Sequence, residues 1–247
     1  MRLIIDIGNT LAKVALFEDL EPLAITYLPH LTIEALELFL KESNFSRPET
    51  AILSSVRQSD EHVIDYLNSN FKLLILSAQT PTPLKNLYNS PETLGYDRLA
   101  AAVGAVALFP NRNILIINTG TAITYDIVTR YSEYLGGAIS PGLTMRLMAL
   151  HNFTQKLPLV TLKDDAPMVG TTTEKSIISG VLNATRAEID GMIERFNNHY
   201  EQLAVILSGG DVKYFDKSLK NSIFAIPNIV ISGLNQLLAF NFGKKNY

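Results

Sequence analysis

Three short segments of this sequence join a turn-forming glycine to side chains that handle phosphate and metal ions. The first is Asp6-Ile7-Gly8-Asn9-Thr10, which follows the apolar run 3–5. Gly8 permits positive φ between two strands. Backbone N–H groups in such a turn converge on a phosphate oxygen, and Asn9 and Thr10 add side-chain donors. A carboxylate at a strand end, here Asp6, holds Mg²⁺ directly or through water. An ordinary hairpin turn explains the same residues, because Gly-Asn is a common hairpin dipeptide. The second segment, Asn118-Thr119-Gly120-Thr121, repeats the pattern after the buried run 114–117. The third, Ser208-Gly209-Gly210-Asp211, follows 204–207 and would let adenine or ribose approach backbone. Alone it reads as a strand-to-helix turn. The three together point to a phosphotransferase.

Other residues have a chemical and a structural reading side by side. Asp97, in Gly95-Tyr96-Asp97-Arg98, falls in a first helical turn, where it suits a base toward a substrate hydroxyl or simply complements the helix dipole. Arg98 suits bidentate binding of a carboxylate or phosphate, or a surface ion pair. The run Gly136-Gly137-Ala138-Ile139-Ser140-Pro141-Gly142 fits close approach to a ligand and tight packing equally well. In Gly170-Thr171-Thr172-Thr173-Glu174, Thr173 is expected as the N-cap of a long helix. The four histidines have no metal-ligand spacing. Neither a G-x-S-x-G elbow nor a Walker A loop occurs, which argues against hydrolase and P-loop chemistry.

The elements that would position these residues alternate. Strands are expected at 3–5, 11–17, 22–27, 51–53, 73–76, 114–117, 122–128, 134–139 and 204–207. Helices are expected from Thr32, at 62–68, 96–108, 174–200 and 229–242. Such alternation implies a layered α/β architecture. The proline-containing stretch 77–94 reads as a long loop, of the kind that is usually functional. The strand–(Asp/Asn)-x-Gly-(Asn/Thr)–strand pattern at Asp6 and again at Asn118 implies two copies of one unit, expected at 1–110 and 111–247. Of the 247 residues, 47% are hydrophobic, enough for a real core. Lys and Arg number 21 against 24 acidic residues, with no basic excess to track nucleic acid. The absence of cysteine removes disulfides and thiolate chemistry. Asp6 interrupts the opening apolar run too early for a signal sequence, no run is long enough to cross a bilayer, and Lys244-Lys245 is too small a basic patch to bind one. A cytoplasmic protein without nucleic-acid or membrane partners is expected.

In their order along the chain, these motifs resemble the type III pantothenate kinases of the acetate/sugar kinase and actin-like ATPase superfamily. The motifs are Asp6-Ile7-Gly8-Asn9-Thr10 with Lys13; Tyr88-Asn89-Ser90-Pro91 with Gly95-Tyr96-Asp97-Arg98; Gly120-Thr121-Ala122 with Thr124 and Asp126, followed by 136–142; and Gly170-Thr171-Thr172-Thr173. The resemblance implies two ribonuclease-H-like halves, each a mixed five-stranded sheet flanked by helices, with ATP in the cleft between them. It implies ATP- and Mg²⁺-dependent phosphorylation of pantothenate to 4'-phosphopantothenate, the first step of coenzyme A synthesis; a kinase for another small hydroxylated substrate and a non-catalytic regulatory relative of the same fold are the alternative readings. By the same resemblance Asp6, Ile7, Gly8, Asn9, Thr10, Leu11, Ala12 and Lys13 contact ATP phosphates, with Asp6 at the Mg²⁺, and Thr121 contacts ATP. Tyr88, Gly95, Tyr96, Asp97, Arg98 and Thr173 bind pantothenate, and Asp97 accepts the proton. A homodimer and a monovalent cation, K⁺ or NH₄⁺, are further implications. The chain departs from the family at Asn118, where the family carries the cation-binding Asp. Asn keeps a carbonyl oxygen and loses the charge, which lowers the expected affinity. Asp126 is present and suits either a metal or a structural role.

Overall fold

The computed structural model describes residues 1–57, 60–163 and 166–243, so Lys244 and Lys245 lie outside the described residues. In chain order the elements are β1 (Arg2–Ile7), β2 (Ala12–Glu18), β3 (Glu21–Leu28), α1 (Ile33–Glu42), β4 (Thr50–Ser55), α2 (Glu61–Asn70), β5 (Lys72–Ile75), β6 (Lys85–Asn86) and α3 (Tyr96–Leu108). They continue with β7 (Ile114–Thr119), β8 (Ala122–Val128), β9 (Glu133–Pro141), α4 (Leu143–Asn152), α5 (Thr173–Asn197), β10 (Ala204–Ser208), β11 (Phe224–Ala225) and α6 (Ile229–Phe242). Two compact units form. Of the described residues, one contains those in 1–110, 132–134 and 229–243, and the other contains those in 111–131 and 135–228.

In the first unit the sheet order is β3-β2-β1-β4-β5. The central strand β1 is antiparallel to β2 and parallel to β4. It is buried from Leu3 onward, as expected of a strand covered on both faces. On one face Leu3, Ile5, Val14 and Leu16 pack with Leu36 of α1 and with Val63 and Leu67 of α2. The other face meets α6, which contacts β1, β2 and β4 and lies along α3. Their close approach depends on Gly104 and Gly233: a Cβ on Gly233 would lie 1.7 Å from the Ala100 carbonyl oxygen. Gly233→Ala should therefore destabilise the protein by about 1–3 kcal/mol through overpacking, read as a lower midpoint in urea with an unchanged slope.

The second sheet has the order β11-β10-β7-β8-β9-β6. Here β7 is antiparallel to β8 and parallel to β10, and β10 is parallel to β11. The arrangement about β7 thus repeats that about β1. The two-residue β6 pairs only with Glu133 and Tyr134 at the start of β9, which adds a sixth strand to the expected five. The core of the second unit joins Leu115, Ile117, Ile123 and Tyr125 to the α5 stripe Ile178, Leu182, Ile189 and Ile193. Each such fully buried side chain contributes about 1.5–3 kcal/mol.

Local differences from expectation have simple causes. Thr172, in extended conformation, caps α5 by accepting the Lys175 N–H at 3.2 Å, so Thr173 is already helical. The helix ends three residues earlier than expected, at Asn197. The stretch 77–94 holds β6 and a 3-10 turn at Pro91–Thr93. After Gly142 an unexpected helix, α4, begins.

Candidate functional site

In the first unit, strand register brings the charged groups together. Asp6 faces Lys13 across the antiparallel pair and Ser54 across the parallel one. The connection from β1 to β2 spans four residues, 8–11, closed by the Gly8 N–H donating to the Leu11 carbonyl at 3.0 Å. A four-residue connection has no need of positive φ. Gly8 accordingly lacks it; Gly120, in the shorter β7–β8 connection, also lacks it, and among described glycines only Gly136 and Gly209 have it. Asn9, Thr10 and Leu11 are exposed, Gly8 and Lys13 are partly exposed, and Ile7 and Ala12 are buried.

Burial pushes the Asp6 carboxyl up to about 6, opposed by the Lys13 ammonium and reinforced by the neighbouring Asp97 carboxylate. The Ser54 hydroxyl also lowers it, yet Asp6 Oδ1 and Ser54 Oγ are both buried without a well-formed hydrogen bond. Leaving such atoms unsatisfied costs about 1–3 kcal/mol each. Two buried oxygens on adjacent strands, one anionic, fit a hard oxygen-seeking cation such as Mg²⁺. The adjacent Ser54 and its register with Asp6 were not legible in sequence, because they arise from pairing across 48 positions.

Asp97 and Arg98 open α3 after Gly95. A Cβ on Gly95 would sit 2.6 Å from Asp97 Oδ1, so glycine leaves that carboxylate room. Arg98 is buried, and its guanidinium stacks 5.7 Å from the Tyr88 ring centre. Tyr88 in turn rests on Tyr134, with ring centres 6.2 Å apart. Beside Gly95 and Tyr96 a cavity of about 390 Å³ is lined also by Ser55, Val56, Arg57 and Thr93. That volume suits a small molecule.

The second unit holds the remaining candidates. Asn118 pairs with Thr124 and Ile116 with Asp126, so Asn118, Thr124 and Asp126 share one face of the sheet. Asp126 is almost fully buried, and Thr124 Oγ1 is buried without a partner. Thr121 is exposed at the turn, and Thr173 is exposed in the first turn of α5. Three loops interlock here. Gly142 donates to the Thr121 carbonyl at 3.1 Å. Gly209, at φ 100, packs so closely that a Cβ would lie 2.0 Å from the Thr119 carbonyl oxygen. Thr119 Oγ1 donates to the Ser208 carbonyl at 2.9 Å, and the Asp211 N–H donates to the Thr119 carbonyl at 3.2 Å. Burial pushes the Asp211 carboxyl up, against the pull of Lys213. Among the described residues no group of three or more His, Cys, Asp or Glu forms a metal cluster.

A family model described as type III pantothenate kinase matches residues 2–195. The chain belongs to the type III pantothenate kinase family. Relatives bearing that family name include one from Bacteroides fragilis, 44% identical over 99% of this chain and all of its own length. Another, from Christiangramia forsetii, is 43% identical over 98% of this chain and 99% of its own. Among solved structures, the activator of 2-hydroxyisocaproyl-CoA dehydratase from Clostridium difficile with bound ADPNP is similar in fold, with a TM-score of 0.56 at 12% identity. It covers 98% of this chain and 94% of that one. Component A of (R)-2-hydroxyglutaryl-CoA dehydratase from Acidaminococcus fermentans has a TM-score of 0.54 at 12% identity, covering 98% of both chains. For this member of the type III pantothenate kinase family, the expected α/β architecture of two helix-flanked mixed sheets is the observed one. No described helix is long and apolar enough to cross a membrane.

Proposed function

We propose that the protein transfers the γ-phosphoryl group of ATP to the primary hydroxyl of pantothenate, giving 4'-phosphopantothenate for coenzyme A synthesis. The observation that carries this beyond the family match is the placing of Asp97 beside the Asp6–Lys13 pair, next to a cavity and a buried, ring-stacked arginine. Phosphoryl transfer depends on positioning and charge neutralisation. Residues 6–13 and Thr121 bind the nucleotide phosphates. Tyr88, 95–98 and Thr173 bind pantothenate, with Arg98 on its carboxylate. Asp97 takes the hydroxyl proton. Asp6 and Ser54 would hold Mg²⁺, which would supply neutralisation of phosphate charge. The division at 1–110 and 111–247 follows two copies of one supersecondary unit, a reading supported by the repeated strand order about β1 and β7, with 132–134 and α6 packed into the first compact unit. The working protein is a cytoplasmic homodimer, and its net charge of -3 argues against a nucleic-acid partner. The test is a panel of small hydroxylated acceptors offered with ATP. Pantothenate should give the highest kcat/KM, and preference for another acceptor would refute the substrate assignment.

The monovalent cation is the weak point of the family pattern here. Asn118 and Thr124 supply only neutral oxygens, which leaves the charge to Asp126 on the same sheet face, and we propose a loose K⁺ requirement. Asn118→Asp should lower the half-saturating K⁺ concentration about tenfold, through added charge attraction. An unchanged K⁺ titration would remove position 118 from cation binding.

A further inference from the structure

Glu188 lies outside every motif considered above, yet it collects three donors. Its Oε1 accepts from Tyr125 Oη at 2.9 Å and from Ser140 Oγ at 2.6 Å, and its Oε2 accepts from Arg146 Nη2. These bonds, from Ser140, Arg146 and Tyr125, outweigh burial and hold the carboxyl below its ordinary range. The same arginine donates from Nε to the Pro141 carbonyl at 2.8 Å and from Nη2 to Ser140 Oγ at 2.8 Å. The network therefore grips 140–141 from two helices, α4 and α5. It is rooted in the core, because the Tyr125 ring and the neighbouring Ile189 are almost wholly buried. The next residue, Gly142, is pressed against the second glycine turn: a Cβ there would lie 2.0 Å from the Gly120 oxygen and 2.5 Å from the Thr121 oxygen. Backbone against backbone leaves no slack, so displacement of 140–142 moves 120–121.

We propose that Glu188, through Arg146 and Ser140, is a positioning residue that sets the Gly120-Thr121 turn in its nucleotide-binding conformation. The inference rests on the reading of that turn as a nucleotide contact. Misplacement by about an ångström is enough for large losses. Glu188→Ala should weaken ATP binding about tenfold by calorimetry and raise KM for ATP more than KM for pantothenate. Glu188→Gln should restore most of the affinity, because its amide oxygen still accepts from Arg146 while its NH₂ donates to the two hydroxyls. Tyr125→Phe keeps the buried ring and removes one donor. It should show a smaller weakening, and it tests the network even if Glu188→Ala does not fold. Hydrogen exchange of the nucleotide-free variants should accelerate at 119–122 and 140–142. Unchanged ATP affinity together with unchanged exchange in folded variants would overturn the proposal, whatever the melting temperature. A wild-type protein that binds no ATP would instead refute the nucleotide reading, and exchange at 119–122 would then decide the positioning claim by itself.

Discussion

Replacing Asp97 by Asn should lower pantothenate-dependent turnover by about 10²–10⁴-fold, the contribution of a positioned general base. The substitution is nearly isosteric, and Gly95 already leaves room for that side chain, so folding should be unaffected. Cation binding should not suffer either. The Asp97 charge raises the Asp6 carboxyl, and removing it makes Asp6 more readily ionised. Loss carried mainly by kcat, with KM for ATP unchanged, therefore separates loss of the base from loss of nucleotide or metal binding. An Asp97→Asn protein with full turnover would take Asp97 out of the base role.

Asp6→Asn should have opposite effects on stability and activity. The Asp6 carboxyl titrates near 6 in the folded protein against an ordinary 3.8. The folded state thus binds this proton more tightly than the unfolded state. The sign follows: below pH 3.8 the group is neutral in both states and costs nothing, the cost grows between 3.8 and about 6, and it is complete above about 6. A displacement of that size corresponds to about 3 kcal/mol. Without metal or nucleotide, Asp6→Asn should therefore be more stable than wild type above pH 6, with the difference shrinking as pH falls. The same variant should bind Mn²⁺ weakly and lose turnover, because a neutral amide is a poor partner for a hard cation. A variant no more stable than wild type at any pH would contradict the burial argument.

The parts legible in sequence were those encoded locally. The two strand–turn–strand segments appear as β1–β2 and β7–β8, and α3 spans Tyr96–Leu108 as its alanine-rich pattern implied. What escaped depended on distant pairing or on weak local signals. Ser54 gains meaning only from its register with Asp6. Glu188 looks like a solvent-facing residue beside the apolar stripe of α5 until Arg146 and Ser140 meet it. Helix α4 was missed because Gly142 offers no side-chain cap, and of its apolar residues Leu143 and Leu147 are buried while Met145 and Met148 are exposed. At 172 and 173, two threonines fit the cap position equally well, and only the extended backbone of Thr172 decides between them.

The central claim is best tested by ADP release from ATP and Mg²⁺, measured with and without pantothenate and, in each case, with and without K⁺. Pantothenate should stimulate ADP release, with equimolar 4'-phosphopantothenate formed and only modest dependence on K⁺. Absence of pantothenate-stimulated ADP both with and without K⁺ would contradict it.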